Sequence, residues 1–216
     1  MTNTGTAAAS MASVGITGDF AQGNNCGTSL AAGASCTVSV TFTPAASGTR
    51  TGALTINSNA SNNPVTVSLS GTGAASTTNL ALNAQVSASS NTQVYVPANA
   101  VDGNTSTYWE ATNGVWPSAI TVNLGSPKAL GSVVIDLPPP AAWSTRAQTL
   151  SVLGSANGSS YSTLVASATY TWNPSTGNTV TIHLPAGTTD QYVQLSFTAN
   201  SVQNGAQASE VQIFGP

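Results

Sequence analysis

Apolar and polar residues alternate with a period of two along most of the chain. Val38, Val40 and Phe42 alternate with Ser39 and Thr41. Leu54 and Ile56 repeat the pattern, as do Val65, Val67 and Leu69. It returns at Ile120/Val122/Leu124, Val133/Ile135/Leu137, Leu150/Val152, Val180/Ile182/Leu184, Val193/Leu195/Phe197 and Val211/Ile213. A period of two marks a strand with one face in a core and one in water. Turn formers fall between these runs: Pro44–Gly48, Asn57–Pro64, Gly125–Pro127, Gly154–Gly158, Asn173–Gly177 and Pro185–Gly187. Short strands at this spacing, with no helical period, predict an all-β protein of antiparallel sandwiches. Gly71-Thr-Gly-Ala-Ala-Ser-Thr-Thr78 is small, polar and free of large apolar residues, so it reads as a linker. The organisation expected is a first unit over 1–73, a linker at 74–78 and a second unit over 79–216.

Composition narrows what such sandwiches can do. Only 4% of the 216 residues are charged, against roughly 25% in an average soluble domain. Ser, Thr, Asn and Gly take their place, a surface that suits a secreted bacterial protein. Lys128, Arg50 and Arg146 are the only basic residues. Three cations cannot neutralise a phosphate backbone or an anionic membrane, so neither nucleic acid nor membrane is an expected partner. No run of 18 apolar residues predicts a spanning helix. The first residues have neither a basic start nor an apolar core, so no signal peptide is expected in them. Cys26 and Cys36 are the only cysteines. Oxidised, they would close a short loop worth about 2–3 kcal/mol. Reduced, they would be two small core residues.

The densest chemistry lies in Asn99-Ala-Val-Asp-Gly-Asn-Thr-Ser-Thr-Tyr-Trp109. Asp102-Gly103 forces a tight turn, because glycine accepts positive φ cheaply. Asn104 and Thr107 add oxygen donors, and Glu210 from the far end of the chain can complete the set. Two carboxylates among neutral oxygens suit a hard ion such as Ca²⁺, which takes 6–8 oxygens. The alternative is a capped turn in which Glu210 accepts backbone amides.

Two resemblances follow from longer motifs. Phe20–Pro44 with its two cysteines, Gly48-Thr-Arg-Thr-Gly-Ala-Leu54 and Val67-Ser-Leu-Ser-Gly-Thr-Gly73 resemble a bacterial immunoglobulin-like repeat of the choice-of-anchor D, or ASPM–SPD-2–Hydin, type. The resemblance implies that Cys26 and Cys36 are paired and that the unit is a spacer or adhesive module. It also implies that a first strand precedes the Thr2-Asn-Thr-Gly5 turn. Either a fragment boundary falls there, or an open groove accepts a strand from another chain, which would allow self-association.

Asn79-Leu-Ala-Leu-Asn-Ala84, Ala98–Trp109, Ile120-Thr-Val-Asn-Leu-Gly125, Leu150–Gly158, Tyr192-Val-Gln-Leu195 and Ser209-Glu-Val-Gln-Ile-Phe-Gly215 resemble a discoidin, or coagulation-factor type C, domain. That implies a jelly-roll β-sandwich and, from its many carbohydrate-binding members, a polysaccharide ligand. Leu137–Leu150 with Thr171–Val180 is similar to modules appended to bacterial glucan hydrolases, so a glucan is the expected sugar. Resemblance to calcium-binding members implies a structural ion held by the Asn99, Asn104 and Ser209 carbonyls with Asp102, Thr107 and Glu210.

The aromatics then divide. Trp109 is expected in the core, and Tyr108 points the opposite way on an extended chain. Trp143 follows three prolines, Pro138 to Pro140, three residues before Arg146. A ring on a stiff loop beside a guanidinium is what sugar binding needs, since CH groups stack on the ring and hydroxyls accept from the fork. The alternative caps the core with Trp143 and pairs Arg146 with Asp136 or Glu110. Tyr95 belongs to a loop at the same end of discoidin sandwiches. Trp116, Trp172 and Gln203 complete the sugar-contact candidates. Gln203 stands in a loop, Asn200–Gly205, where related glucanase modules often carry an aromatic.

An enzyme is not expected. Glycoside hydrolysis usually needs two carboxylates across a cleft, and Asp19, Asp136, Asp190 and Glu110 sit in no motif. His183 alternates outward with Thr179 and Thr181, and the chain holds no second histidine and no Gly-x-Ser-x-Gly elbow. The sequence thus predicts a non-catalytic polysaccharide-binding pair from a secreted glycoside hydrolase or surface protein, with a structural fibre or adhesin subunit as the rival.

Overall fold

The computed structural model describes residues 1–45, 47–74, 76–139 and 143–216. It divides into two compact units, Met1–Ala75 and Ser76–Pro216, both antiparallel β structures. Ala75 of the expected linker, Ala46 of the turn after Pro44 and Pro140 of the proline run lie outside the described residues.

The first unit holds β1 (Ala9–Ile16), β2 (Phe20–Asn24), β3 (Ser29–Leu30), β4 (Val38–Phe42), β5 (Gly48–Ser58) and β6 (Val65–Gly73). One sheet runs β3-β1-β5-β6, and β2 pairs with β4. The core is small: Cys26, Leu30, Cys36, Leu54 and Ile56 are buried. Phe20 and Phe42 stack with centroids 4.9 Å apart and lie against two glycines of the other sheet. A Cβ on Gly71 would fall 2.6 Å from the Phe42 ring, and one on Gly52 2.7 Å from that of Phe20. The alternation in the sequence implies that Val40 and Val67 face inward, yet they are 41% and 46% exposed. Both lie on strands that end a sheet, where water reaches the side as well as the outer face.

Cys26 and Cys36 form a disulfide beside Leu30. The Met1–Asn3 segment pairs along the same loop: Asn3 N–H donates to the Ala34 carbonyl at 2.9 Å and Cys36 N–H to the Met1 carbonyl at 2.9 Å. A Cys26→Ser/Cys36→Ser variant is expected to lose about 2–3 kcal/mol in the unfolding of this unit. Denaturant melts followed on the isolated residues 1–75 and on the whole chain check this. An unchanged midpoint would show that the cross-link constrains nothing.

The second unit is the larger sandwich. Its strands are β7 (Gln85–Ala88), β8 (Trp109–Glu110), β9 (Ser118–Ala129), β10 (Ser132–Asp136), β11 (Arg146–Ser155), β12 (Ser162–Trp172), β13 (Thr179–His183), β14 (Thr189–Asn200), β15 (Gln207–Ala208) and β16 (Glu210–Phe214). A five-stranded sheet, β12-β11-β14-β9-β7, and a three-stranded sheet, β13-β10-β16, supply the core between them. Ile120, Val133, Ile135, Leu150, Val152, Leu195, Phe197, Val211 and Ile213 are all fully buried. Each such side chain contributes about 1.5–3 kcal/mol by leaving water. His183 is exposed on β13. The entry and exit of the unit meet: Asn79 pairs with Phe214, and Leu80 N–H donates to the Ile213 carbonyl at 2.7 Å.

Two tryptophans complete this core. Trp109 is buried, as the sequence implies, and its indole N–H donates to the Ser90 carbonyl at 3.0 Å. Trp172 corrects an expectation. It is not a surface aromatic but fully buried, with its indole N–H donating to the Ile135 carbonyl at 2.8 Å. The β11–β12 register sets Trp172 opposite buried Arg146, turning the ring between the sheets.

Candidate functional site

A two-residue ladder organises one end of the second unit. β8 and β15 pair antiparallel, Glu110 with Gln207 and Trp109 with Ala208. Residues that precede Trp109 therefore lie beside residues that follow Ala208. That places the Asp102–Thr107 turn against Glu210, and Glu110 against Gln207.

On the first side of the ladder, Gly103 adopts φ +79°, the left-handed turn expected from Asp-Gly. Glu210 Oε1 accepts from the Gly103 N–H at 2.8 Å and the Asn104 N–H at 3.0 Å. Asp102 accepts from the Asn104 N–H at 2.8 Å and from the Thr107 hydroxyl at 2.7 Å. Glu210 is 1% exposed, and its Oε2 has no partner. Burial, together with the facing Asp102 carboxylate, pushes its pKa up to about 7. An orphaned buried carboxylate oxygen next to a second carboxylate is a donor set that a hard cation would satisfy. Among the described residues no third acid, histidine or cysteine joins them, so any further ligands would be carbonyls and a hydroxyl, the chemistry of a calcium rather than a zinc site. The capped-turn contacts are also present, because Glu210 does accept two backbone amides. Asn99 donates from its side chain to the Tyr108 carbonyl at 3.0 Å, which leaves its own carbonyl as the group to consider. The Ser209 hydroxyl is buried without a partner.

On the other side, a buried polar network supports three aromatic rings. Glu110 is 6% exposed and accepts from Gln207 Nε2 at 2.6 Å and from Gln203 Nε2 at 3.0 Å. Arg146 is 7% exposed and donates to Gln207 Oε1 at 2.5 Å. It therefore pairs directly with neither Asp136 nor Glu110; Gln207 stands between the two charges. Gln148 clamps Gln207 through both backbone groups at 2.9 Å. Burial lowers the pKa of Arg146, and the Glu110 charge opposes that shift. Asp136 accepts instead from Thr179 at 2.5 Å and Gln212 at 3.0 Å, and Asp19 is bound to Arg50 in the first unit.

The rings sit on this network. The Arg146 guanidinium lies 4.2 Å from the centre of the Trp143 ring. Tyr108 meets Trp143 edge-on at 4.9 Å, and Tyr95 stacks on Tyr108 at 4.3 Å. All three rings are half-buried. Burial, and the neighbouring Tyr95 phenol, push the Tyr108 phenol above its usual range. Both alternatives for Trp143 are thus partly realised, since the ring packs against the core and remains partly open. Trp116 sits apart from the cluster, its N–H donating to Asn204 at 3.2 Å. Gln203 is not a free donor: its amide is held by Glu110 and by Asn113 at 3.3 Å.

The structure brings Tyr95, Trp143, Arg146 and Gln203 into one connected set. Tyr108, Glu110 and Gln207 belong to it as well; the sequence raises Tyr108 only as the outward neighbour of Trp109 and Glu110 only as a possible partner of Arg146, and it does not raise Gln207. A signal for Gln207 exists, because a lone amide in Gly205-Ala-Gln-Ala-Ser209 interrupts a run of small residues that reads as buried.

A two-sheet jelly roll with an acid turn and a ring-bearing polar network gathered at one loop end defines a module of the discoidin class. A family model for the F5/8 type C domain matches residues 85–211, and the chain belongs to that family. A model for a HYDIN/CFA65/VesB-like, Ig-like domain matches residues 1–72. Among solved structures, the CBM32 of AlyQ in complex with 4,5-unsaturated mannuronic acid is similar at 29% identity and a TM-score of 0.52, covering 61% of this chain and 95% of that one. Chitosan-binding module 1 from a chitosanase/glucanase of Paenibacillus sp. IK-5 is similar at 27% identity and a TM-score of 0.51, covering 64% and 99%. The family 32 module of C. perfringens NanJ, solved with galactose, shares the fold at 19% identity and a TM-score of 0.52, covering 61% and 93%. No curated protein matches the chain. No helix of the described residues is long and apolar enough to cross a membrane.

Proposed function

We propose that the second unit binds a polysaccharide, without cleaving it, at the Tyr95–Tyr108–Trp143 face. The observation that carries this is the set of half-open rings fixed on a buried network. Tyr95 stacks on Tyr108, Tyr108 meets Trp143, and Arg146 is pinned by Gln207 beneath. Ring faces accept sugar CH groups, and pre-set donors hold hydroxyls without the entropy of ordering them. Glu110 has both oxygens occupied by glutamine amides, which suits an organiser rather than a general acid. A glucan is the proposed ligand on the resemblance of Leu137–Leu150 and Thr171–Val180 to modules of bacterial glucan hydrolases; the similar Paenibacillus module comes from a chitosanase/glucanase and itself binds chitosan. A secreted bacterial glycoside hydrolase or surface protein is the setting in which such a module holds its partner on substrate. The acid turn would hold a structural Ca²⁺ through Asp102, Thr107 and Glu210, with the Asn99, Asn104 and Ser209 carbonyls. Pull-down of the whole chain on insoluble α- and β-glucans, with a glycan array alongside, tests the reading. Retention on at least one polysaccharide is expected; no binding to any glycan by correctly folded protein overturns it.

A structural role in an extracellular fibre or adhesin has one observation in its favour. β6 ends its sheet and carries exposed Val67, an unpaired edge of the kind that adds strands. Light scattering after size exclusion is expected to show concentration-dependent association under that reading, and a monomer at high concentration removes it.

A further inference from the structure

The outer face of the five-stranded sheet carries a second cleft, away from the loop end. It has a volume of about 540 Å³ and is lined by β7, β9, β14 and the turn at Gly158, within the size range of ligand pockets. Register explains its make-up. Gln85 pairs with Asn123, and Asn123 with Tyr192. Thr121 pairs with Gln194 one row along. Side chains in such rows lie on one sheet face as cross-strand neighbours. Thr121, Asn123, Tyr192 and Gln194 alternate with buried Ile120, Val122, Val193 and Leu195, so their side chains point away from the core.

The row is also held in place. Asn123 donates to Gln85 Oε1 at 2.9 Å and accepts from Gln191 at 3.0 Å. Gln194 donates to the Thr121 hydroxyl at 2.9 Å. Asn123 is thereby fixed through both ends of its amide and Gln85 and Gln194 through one, which leaves the Gln85 NH₂ as a spare donor and the Gln194 carbonyl as a spare acceptor among the residues that line the cleft. The Tyr192 ring lies across Gly158, where an added Cβ would come within 3.0 Å of it, so the absent side chain lets the ring lie low on the sheet. Tyr161 lines the same cleft. Among the described residues lining it, none is charged.

We propose that this cleft is a second binding site, for a neutral polysaccharide chain lying across β7, β9 and β14. Two tyrosines offer stacking faces. Fixed amides and a threonine hydroxyl offer donors and acceptors in a row, the pattern of an extended chain with a hydroxyl on every residue. The lack of charge selects a neutral glycan over a uronic acid or an amino sugar, whose charge would be desolvated without a partner. The inference rests on the polysaccharide reading of the loop end, but it makes a separate claim, that the chain carries two glycan sites on one sandwich.

The test is an NMR titration of the ¹⁵N-labelled full chain with neutral α- and β-glucan hexasaccharides. Shifts are expected at the amides of Tyr161, Tyr192 and Gln194 as well as at Tyr95 and Tyr108. In Tyr95→Ala/Trp143→Ala the sheet-face shifts should persist. In Tyr161→Ala/Gln194→Ala, which leaves the Tyr192–Gly158 packing intact, they should vanish while the loop-end shifts remain. On an insoluble glucan that engages both sites, either variant is expected to weaken retention by tenfold or more. Shifts confined to the loop end overturn the second site and leave the first standing. Shifts at neither place overturn both.

Discussion

Replacing Tyr95 by alanine is expected to lower polysaccharide affinity by about tenfold or more, a loss of about 1.4 kcal/mol, while the melting temperature falls by only a few degrees. The ring is half-buried and contributes its stack on Tyr108, a pair worth about 0.5–1.5 kcal/mol beyond area. Trp143→Ala should abolish binding but behave differently in a melt. Its ring packs on the core and supports a buried guanidinium 4.2 Å away. A fully buried aromatic costs about 3–5 kcal/mol on truncation to alanine, so a half-buried one is expected to cost about 1–3 kcal/mol. Calorimetric titration and thermal melts on both variants separate binding from stability. If Trp143→Ala is destabilised yet binds as the parent does, the ring is a core cap and the ligand lies elsewhere. If Tyr95→Ala binds unchanged, this face is not the site.

If the acid turn holds calcium as proposed, stripping the ion with a chelator should invert the way stability depends on pH. Without an ion, Glu210 has a folded pKa of about 7 against an ordinary value of 4.5. The folded state then binds the proton more tightly than the unfolded state. Stability is therefore fully supported below about 4.5, falls as pH rises through about 7, and stays low above it. The cause is the cost of a buried charge with one oxygen unpartnered beside Asp102. Calcium favours the ionised form, so its stabilising effect should grow over the same interval. At about 100 times its dissociation constant it adds about 2.7 kcal/mol, roughly 10 °C for a unit of this size. Glu210→Gln should remove both the slope and the response to calcium. Melts at pH 5 and pH 8, with and without calcium, decide the matter; identical curves after chelation would leave the acid turn as a cap alone.

The larger sandwich was legible because most of its strands alternate buried Val, Ile and Leu with polar residues from Ile120 to Ile213, and alternation is a local signal; Val134 and Leu153, on the opposite faces of their strands, are exceptions. The first unit was less so. Val40 and Val67 obey the same pattern on strands that end their sheets, and pairing partners are not written in a strand's own residues. The acid turn could be read because Asp102-Gly103 announces its geometry and Glu210 stands in a recognisable terminal motif. The polar network could not. Glu110 shows no motif around it, and its partners Gln203 and Gln207 are 93 and 97 residues away. Trp172 was misplaced for a related reason: its neighbours Asn173 and Pro174 look like a surface turn, while its partner, the Ile135 carbonyl, is 37 residues distant.

The pairing of Asn79 with Phe214 has a mechanical consequence. A chain under tension that enters and leaves a module at adjacent points loads that module only where the two ends meet. Here the load falls on the Asn79–Phe214 bridge, cinched by the Asn79 side chain, which accepts from the Ala81 and Ile213 amides at 3.0 and 3.1 Å. Drag on a tethered partner would peel this seam one hydrogen bond at a time rather than shear whole ladders at once. The large sheets, and the rings and amides they hold in position, would feel no force until the seam had opened.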